Sequence, residues 1–297
     1  MLNNLIVSFV KLLPKSVVYI FAKKYIAGPK LNDAVDAVKK LNTKGIVATI
    51  DVLGEAITTK EEAVSEKNEC LRVLDTINRE KLDANLSIKP TSLGLSIDKN
   101  FFYEQMKEVL NKAKEYNNFV RVDMEDSPYT TITIEMFKKL QTEYDNVGIV
   151  LQAYLKRTSA DVDYLNKTKT NYRLCKGIYI EPEEIAYKDK QKIRDNYMML
   201  LEKILKNKSY VGIATHDKYL IRKALELIEK MKLKKDEYEF QMLFGVTERL
   251  RDKINSDGHK IRIYVPYGEN WHAYSIRRMQ ENPEIARHIT KSIFKFN

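Results

Sequence analysis

From Gly28 onward the chain alternates short β-branched runs with amphipathic stretches long enough for helices, and it completes eight such alternations. The predicted strands are Ile46–Val52, Asn85–Lys89, Phe119–Met124, Val147–Tyr154, Tyr172–Tyr179, Val211–Thr215, Glu239–Leu243 and Ile261–Val265. Helical periodicity predicts Leu31–Leu41 before the first strand. It then predicts Lys60–Glu80, Phe101–Tyr116, Ile134–Tyr144, Ser159–Asn166, Pro182–Leu205, Lys218–Met231, Thr247–Ile254 and Asn270–Gln280. Runs such as GIVATIDVLG and VGIVLQAY are nearly continuous in apolar residues, as parallel strands buried on both faces are. Eight βα units in about 250 residues match a (β/α)8 barrel. A doubly wound sheet would carry about six strands and a Gly-rich phosphate turn after the first. Here the first strand runs into DVLGEA and no GxGxxG occurs. The expected fold is therefore α/β, a TIM-type barrel over residues 45–297 with one or two extra helices in residues 1–44 packed on it.

A chain of 297 residues that is 44% hydrophobic and 31% charged can bury a large core under a solvated surface. Its net charge of +10 would suit nucleic acid, an anionic membrane or an anionic ligand. No zinc-finger spacing, basic zipper or RNP-like strand accompanies that charge, so no nucleic-acid partner is expected. The Lys-rich stretches 203–208 and 230–235 are interrupted by apolar residues and read as solvated helix faces. Cys70 and Cys175 lie far apart, with neither disulfide nor metal-site spacing, which suggests a reducing, cytoplasmic compartment. The apolar N-terminus is broken by Lys11, Pro14 and Lys15, too soon for a membrane span, and lacks signal-peptide character. It reads as amphipathic helices packed on the core, with peripheral contact at the inner face of a membrane as the alternative.

In such barrels the chemistry lies at the C-terminal strand ends. There this sequence places Asp51, Glu55, Lys89, Asp123, Gln152, Lys176, Tyr179, Thr215, His216, Gln241 and Tyr264, whereas the N-terminal ends read as apolar or irregular. Asp123 alone could be a helix cap; the ring as a whole points to a ligand site. In YSIRRMQE, Tyr274, Arg277, Arg278 and Glu281 recur at helical spacing and share one broad face. Two guanidinium forks on one face match a planar carboxylate, with Glu281 offsetting part of the charge. The blander reading is a surface Glu–Arg pair worth a few tenths of a kcal/mol. Placement directly after the eighth strand favours the carboxylate clamp.

At these residues the chain resembles the proline dehydrogenase family, through IVATIDVLGE, NLSIKPTSLG, VRVDMED, GIVLQAYL, YRLCKGIY, ATHD, YEFQML, RIYVPYG and YSIRRMQENP in order, from about Tyr25 to Pro283. The resemblance implies an FAD-binding barrel that oxidises L-proline to 1-pyrroline-5-carboxylate and passes the electrons to a quinone. It implies that Arg277 and Arg278 bind the substrate carboxylate, and that Lys89 is the active-site lysine with Glu55 and Glu281 as ion-pair partners. Tyr179, Leu243, Tyr264 and Tyr274 would enclose the pyrrolidine ring. Gln152, Arg173 and Lys176 would hold the flavin ring, Thr215 and His216 would lie near the rest of FAD, and Asp123 would support the hydrogen-bond network. The chain resembles the short monofunctional form, whose product passes to a separate 1-pyrroline-5-carboxylate dehydrogenase.

Several positions depart from the bifunctional relatives: Ile180 stands where they have Trp, and Ile178 where they have Ala. Cys175 replaces a β-branched residue and is expected to point into the core. Tyr264 is retained, and its bulk is expected to exclude a 4-hydroxyl and so select proline. Two rivals remain open on the residues alone. One is a barrel enzyme forming a Schiff base on Lys176 or Lys89; the other is a non-catalytic basic protein that binds anionic surfaces.

Overall fold

The computed structural model describes residues 18–19, 22–54, 57–272 and 274–275. Eight parallel strands close into a barrel in sequence order, with β8 returning to β1. They are β1 Val47–Val52, β2 Ala84–Ile88, β3 Val120–Val122, β4 Val147–Gln152, β5 Tyr172–Cys175, β6 Val211–Ala214, β7 Tyr238–Leu243 and β8 Ile261–Tyr267. Around them run α1 Leu31–Asn42, α2 Lys60–Arg79, α3 Lys99–Glu115, α4 Ser127–Gln141, α5 Thr158–Leu165, α6 Lys190–Lys206, α7 Lys218–Met231 and α8 Glu248–Ser256, with a 3-10 turn at Pro90–Leu93. The predicted barrel is the one observed.

Each helix turns an apolar stripe toward the sheet. In α7 the buried residues are Leu220, Ile221, Ala224, Leu227 and Ile228, at intervals of one, three and four that share one face. Burial of each large aliphatic side chain contributes about 1.5–3 kcal/mol. Outward-facing strand residues such as Ile50, Leu86, Leu174 and Phe240 complete this layer. Caps fix where helices begin: Thr59 and Glu62 form a capping box on α2, and Asp98 accepts two backbone N–H groups of α3.

The structure departs from the predicted boundaries in instructive places. Helix α4 starts at Ser127, not Ile134, although TTITI favours strand. Pro128 in its first turn is preset for a helix, and the Glu181 carboxylate caps it by accepting from Ser127 N and Oγ, both at 2.7 Å. Helix α6 starts at Lys190, not Pro182, because Asp189 supplies the N-cap to Lys192 N. Strand β5 stops at Cys175, where its pairing with β4 and β6 ends. Ala22 and Ile26, ahead of α1, pack with Leu53 and Tyr274. Among the described residues no helix is long and apolar enough to cross a membrane.

The floor of the barrel overturns the expectation of apolar N-terminal strand ends. Arg121, Asn85, Thr49 and Glu239 are buried there, with Arg262 nearly so, beside a cavity of about 630 Å³. Arg262 donates to Glu239 Oε1 at 2.7 Å and to the Ala48 carbonyl at 2.6 Å. Arg121 donates to Asn171 O and Oδ1 at 2.7 and 2.6 Å and lies over the Phe119 ring. Burial pushes the Arg121 guanidinium down to about 9, with repulsion from Arg173 next in size. A single charge between apolar neighbours carries the pattern of ordinary strand alternation; inside a closed barrel the inward side of that alternation turns away from bulk solvent.

Candidate active site

Lys89, Asp123, Gln152, Arg173, Lys176, Tyr179, Thr215, His216, Leu243, Tyr264 and Tyr274 all line one cavity of about 600 Å³ at the C-terminal mouth. Gln241 of the strand-end ring lines it too, whereas Asp51, the other described member of that ring, does not. Arg277, Arg278, Glu281 and Glu55 lie outside the described residues.

Asp123, just past β3, is the hub. Its Oδ1 accepts from Ser87 Oγ at 2.7 Å and Arg173 Nη1 at 2.6 Å, and its Oδ2 accepts from the Tyr264 hydroxyl at 2.7 Å. Two of the three strands involved are not neighbours of β3, so the bonds cross the barrel interior. Burial, then the Asp123 charge, raises the Tyr264 phenol well above its ordinary value, so it remains a neutral donor. Its ring packs against the Arg173 guanidinium, 5.2 Å from its centroid. Arg173 is only 6% exposed and is also held at Nε by Gln241 Oε1 at 2.5 Å. Among the described residues its Nη2 takes no hydrogen bond.

Lys89 donates to Asp51 Oδ1 at 2.6 Å, and both side chains are almost enclosed. Burial alone would lower the Lys89 pKa, but Asp51 and then Asp123 outweigh it and raise it, so the group is held as an ammonium. The resemblance named Glu55 and Glu281 as its partners; the partner among the described residues is Asp51. In β1 Asp51 stands opposite Ser87, which shares a strand face with Lys89, the register that brings the pair together. Gln152 is anchored by donating to the Glu125 carbonyl at 2.8 Å, while the Glu125 carboxylate accepts from Thr91 N and Oγ1. His216 accepts the Leu243 amide on Nε2 at 2.9 Å, and Thr215 Oγ1 accepts from Asp217 N.

Lys176 sits 3.6 Å from Asp217, which Arg194 of α6 grips with two bonds of 2.9 Å. Asp217 also caps α7 through Tyr219 N. Burial would raise its carboxyl, yet the bonds from Arg194 and the charge of Lys176 hold it below the usual range. Sequence reasoning missed Asp217, Arg194 and Glu125 as parts of the site. Asp217 was legible only as a helix cap in ATHD, and Glu125 only as the acid after VRVDM. Cys175 is half-buried and packs against the core layer, as expected, but it also reaches the cavity. It stands two residues after Arg173, on the same face of the strand, and lines the cavity with Sγ 3.5 Å from the Leu151 carbonyl.

The proline dehydrogenase family model matches residues 34–291. Proline dehydrogenase 2 of Bacillus subtilis strain 168 is 37% identical over 262 residues, 88% of this chain and 86% of that one. Proline dehydrogenase of Deinococcus radiodurans is 33% identical over 279 residues, 92% of this chain and 90% of that one. Among solved structures, proline utilization A from Bdellovibrio bacteriovorus, inactivated by N-propargylglycine, superimposes with a TM-score of 0.83 at 28% identity. That match covers 88% of this chain and 32% of the other, so the chain spans about a third of that protein. An oxidoreductase barrel with its polar ring at the mouth and this span of similarity has one assignment: the chain belongs to the proline dehydrogenase family.

Proposed function

We propose that the chain binds FAD at the barrel mouth and oxidises L-proline to 1-pyrroline-5-carboxylate, with a quinone as the final electron acceptor. The observation that carries this reading is Arg173, fixed from two sides with its Nη2 left for the cavity, beside the half-exposed Lys176. Such a donor set fits a cofactor that carries phosphates and gains negative charge on reduction. When bound, FAD supplies the hydride acceptor.

The chain's own residues supply position and field. Arg277 and Arg278 clamp the carboxylate, and the Lys89 ammonium, steadied by Asp51, adds positive charge beside it. Tyr179, Leu243, Tyr264 and Tyr274 wall the ring and exclude water. Gln152, Arg173 and Lys176 hold the flavin ring, with Thr215 and His216 beside the remainder of the cofactor. The ionised state of Lys89 speaks against a Schiff base at that residue, which needs a neutral amine. Residues 1–44 and 45–297 act as one unit, with the first segment bringing the barrel mouth to the inner membrane face where a quinone resides. The product passes to a separate 1-pyrroline-5-carboxylate dehydrogenase.

A visible spectrum of the purified protein tests the reading. Absorbance at roughly 450 nm that bleaches on adding proline supports it; a colourless protein, or a yellow one indifferent to proline, overturns it. Tyr264 gives a finer test, because its hydroxyl is tied to Asp123 and its ring cannot swing aside cheaply. Tyr264→Ser is expected to improve kcat/KM for trans-4-hydroxyproline relative to proline by about tenfold. An unchanged ratio removes Tyr264 as the selector.

A further inference from the structure

The barrel floor reaches the mouth through one side chain. Gln241 of β7 accepts from Arg173 Nε on its Oε1 at 2.5 Å and donates from its Nε2 to Glu239 Oε1 at 2.6 Å. The two ends of a primary amide are nearly alike in shape, but one only accepts and the other only donates. Which end meets Arg173 is therefore decided by the group at the other end. Glu239 is 1% exposed, and although burial would raise its carboxyl, Arg262 outweighs that and lowers it to about 2. As a carboxylate it can only accept, so it takes the NH2 end and turns the carbonyl to the arginine. A reversed amide would set a donor against the guanidinium. Arg262 in turn fixes Glu239 at 2.7 Å and is itself anchored on the Ala48 carbonyl. Gly212 of β6 leaves the space this amide occupies: a Cβ there would lie 2.3 Å from Gln241 Nε2.

We propose that Glu239, braced by Arg262, is a positioning residue for the cofactor: through Gln241 it sets the plane of the Arg173 guanidinium and thereby the affinity and reduction potential of the bound flavin. The inference rests on the reading that Arg173 meets the flavin. Asp123 fixes one nitrogen of that guanidinium and Gln241 another, and with the covalent stem as a third point these two bonds fix its plane. The competing role is purely structural, a buried ion pair that only fixes strand register.

The test measures flavin dissociation and the midpoint potential of the holoenzyme for wild type, Glu239→Gln, Gln241→Met and the paired change Glu239→Met with Arg262→Met. The paired change removes Glu239 and Arg262 together, so neither of these two charges is left buried without the other. The expected result is about tenfold weaker flavin binding and a lower potential in the paired variant, with the loss of one charge-assisted hydrogen bond as the cause. Gln241→Met, which leaves the ion pair intact and reads the relay even if the paired variant misfolds, is expected to match it. Combining all three substitutions is expected to cost no more than either alone, since they break one chain. Glu239→Gln keeps an acceptor oxygen for Gln241 and is expected to stay nearer wild type than the paired change. Wild-type affinity and potential in Gln241→Met and the paired variant, or losses that add in the triple, overturn the relay alone. A wild-type protein that holds no flavin overturns the functional reading, and the relay with it.

Discussion

Both ends of the barrel bury arginines, yet they use them differently. At the floor, Arg262 donates to Glu239 and a backbone carbonyl, and Arg121 donates through its terminal nitrogens to Asn171 and carbonyls, its buried Nε having no partner among the described residues. At the mouth, Arg173 is fixed at Nε and Nη1 while its Nη2 makes no bond among the described residues, and the Lys89 ammonium, with three donors, makes a single bond among them. Buried charge by itself therefore does not mark a site. What sets the mouth apart is that Arg173 and Lys89 line the same cavity as the other predicted site residues.

The sharpest way to break the contrast is to remove one arginine from each end. Arg173→Met is expected to lower proline:dye oxidoreduction more than about 100-fold, the order of loss seen when a preorganised charge leaves an active site, and to release flavin while the fold persists. Activity within tenfold of wild type would place Arg173 with the structural group. Arg121→Met is expected to do the reverse. It should cost about 2–3 kcal/mol of stability by urea titration, because Asn171 and two carbonyls lose their donor, while KM for proline stays unchanged. A Michaelis constant that moved with the stability would erase the distinction between floor and mouth.

The smallest effect is in pH. The Glu239 carboxyl lies at about 2 in the fold, against an ordinary 4.5, so the folded state binds fewer protons than the unfolded state between those values. Its contribution is complete above pH 4.5 and is lost as pH falls toward 2. Glu125 near the mouth is raised by burial and has the opposite sign, its cost appearing as pH rises through the carboxylate range. Urea titrations of wild type and the paired Glu239/Arg262 variant are expected to show a steeper acid loss in wild type. Parallel curves would mean that Glu239 titrates alike in both states.

The strands were legible because double burial makes their sequences apolar on both faces, as in VGIVLQ of β4. Their ends were less so, since pairing stops where neighbouring strands stop, as at Cys175. The mouth was legible in part from strand ends: once the fifth strand was placed, Lys176 fell at its C-terminal end, whereas Arg173, the second residue of β5, was singled out only by the resemblance. The floor was not, because Arg121 between two valines carries the same signature whether that face meets water or the inside of a barrel. Asp51 was visible as a strand-end acid, but its bond to Lys89 depends on the register of β1 on β2, which no local pattern encodes.

Two strands forgo an inward side chain so that a neighbour's can lie across them. A Cβ on Gly148 would stand 2.4 Å from Arg121 Nη1, and one on Gly212 would stand 2.3 Å from Gln241 Nε2. The mouth is thus not a portable set of loops. Anyone transplanting Arg173 and its companions onto another eight-stranded scaffold must bring the vacancy at position 212 as well, and a lineage that fills that vacancy must re-house the glutamine in the same stroke.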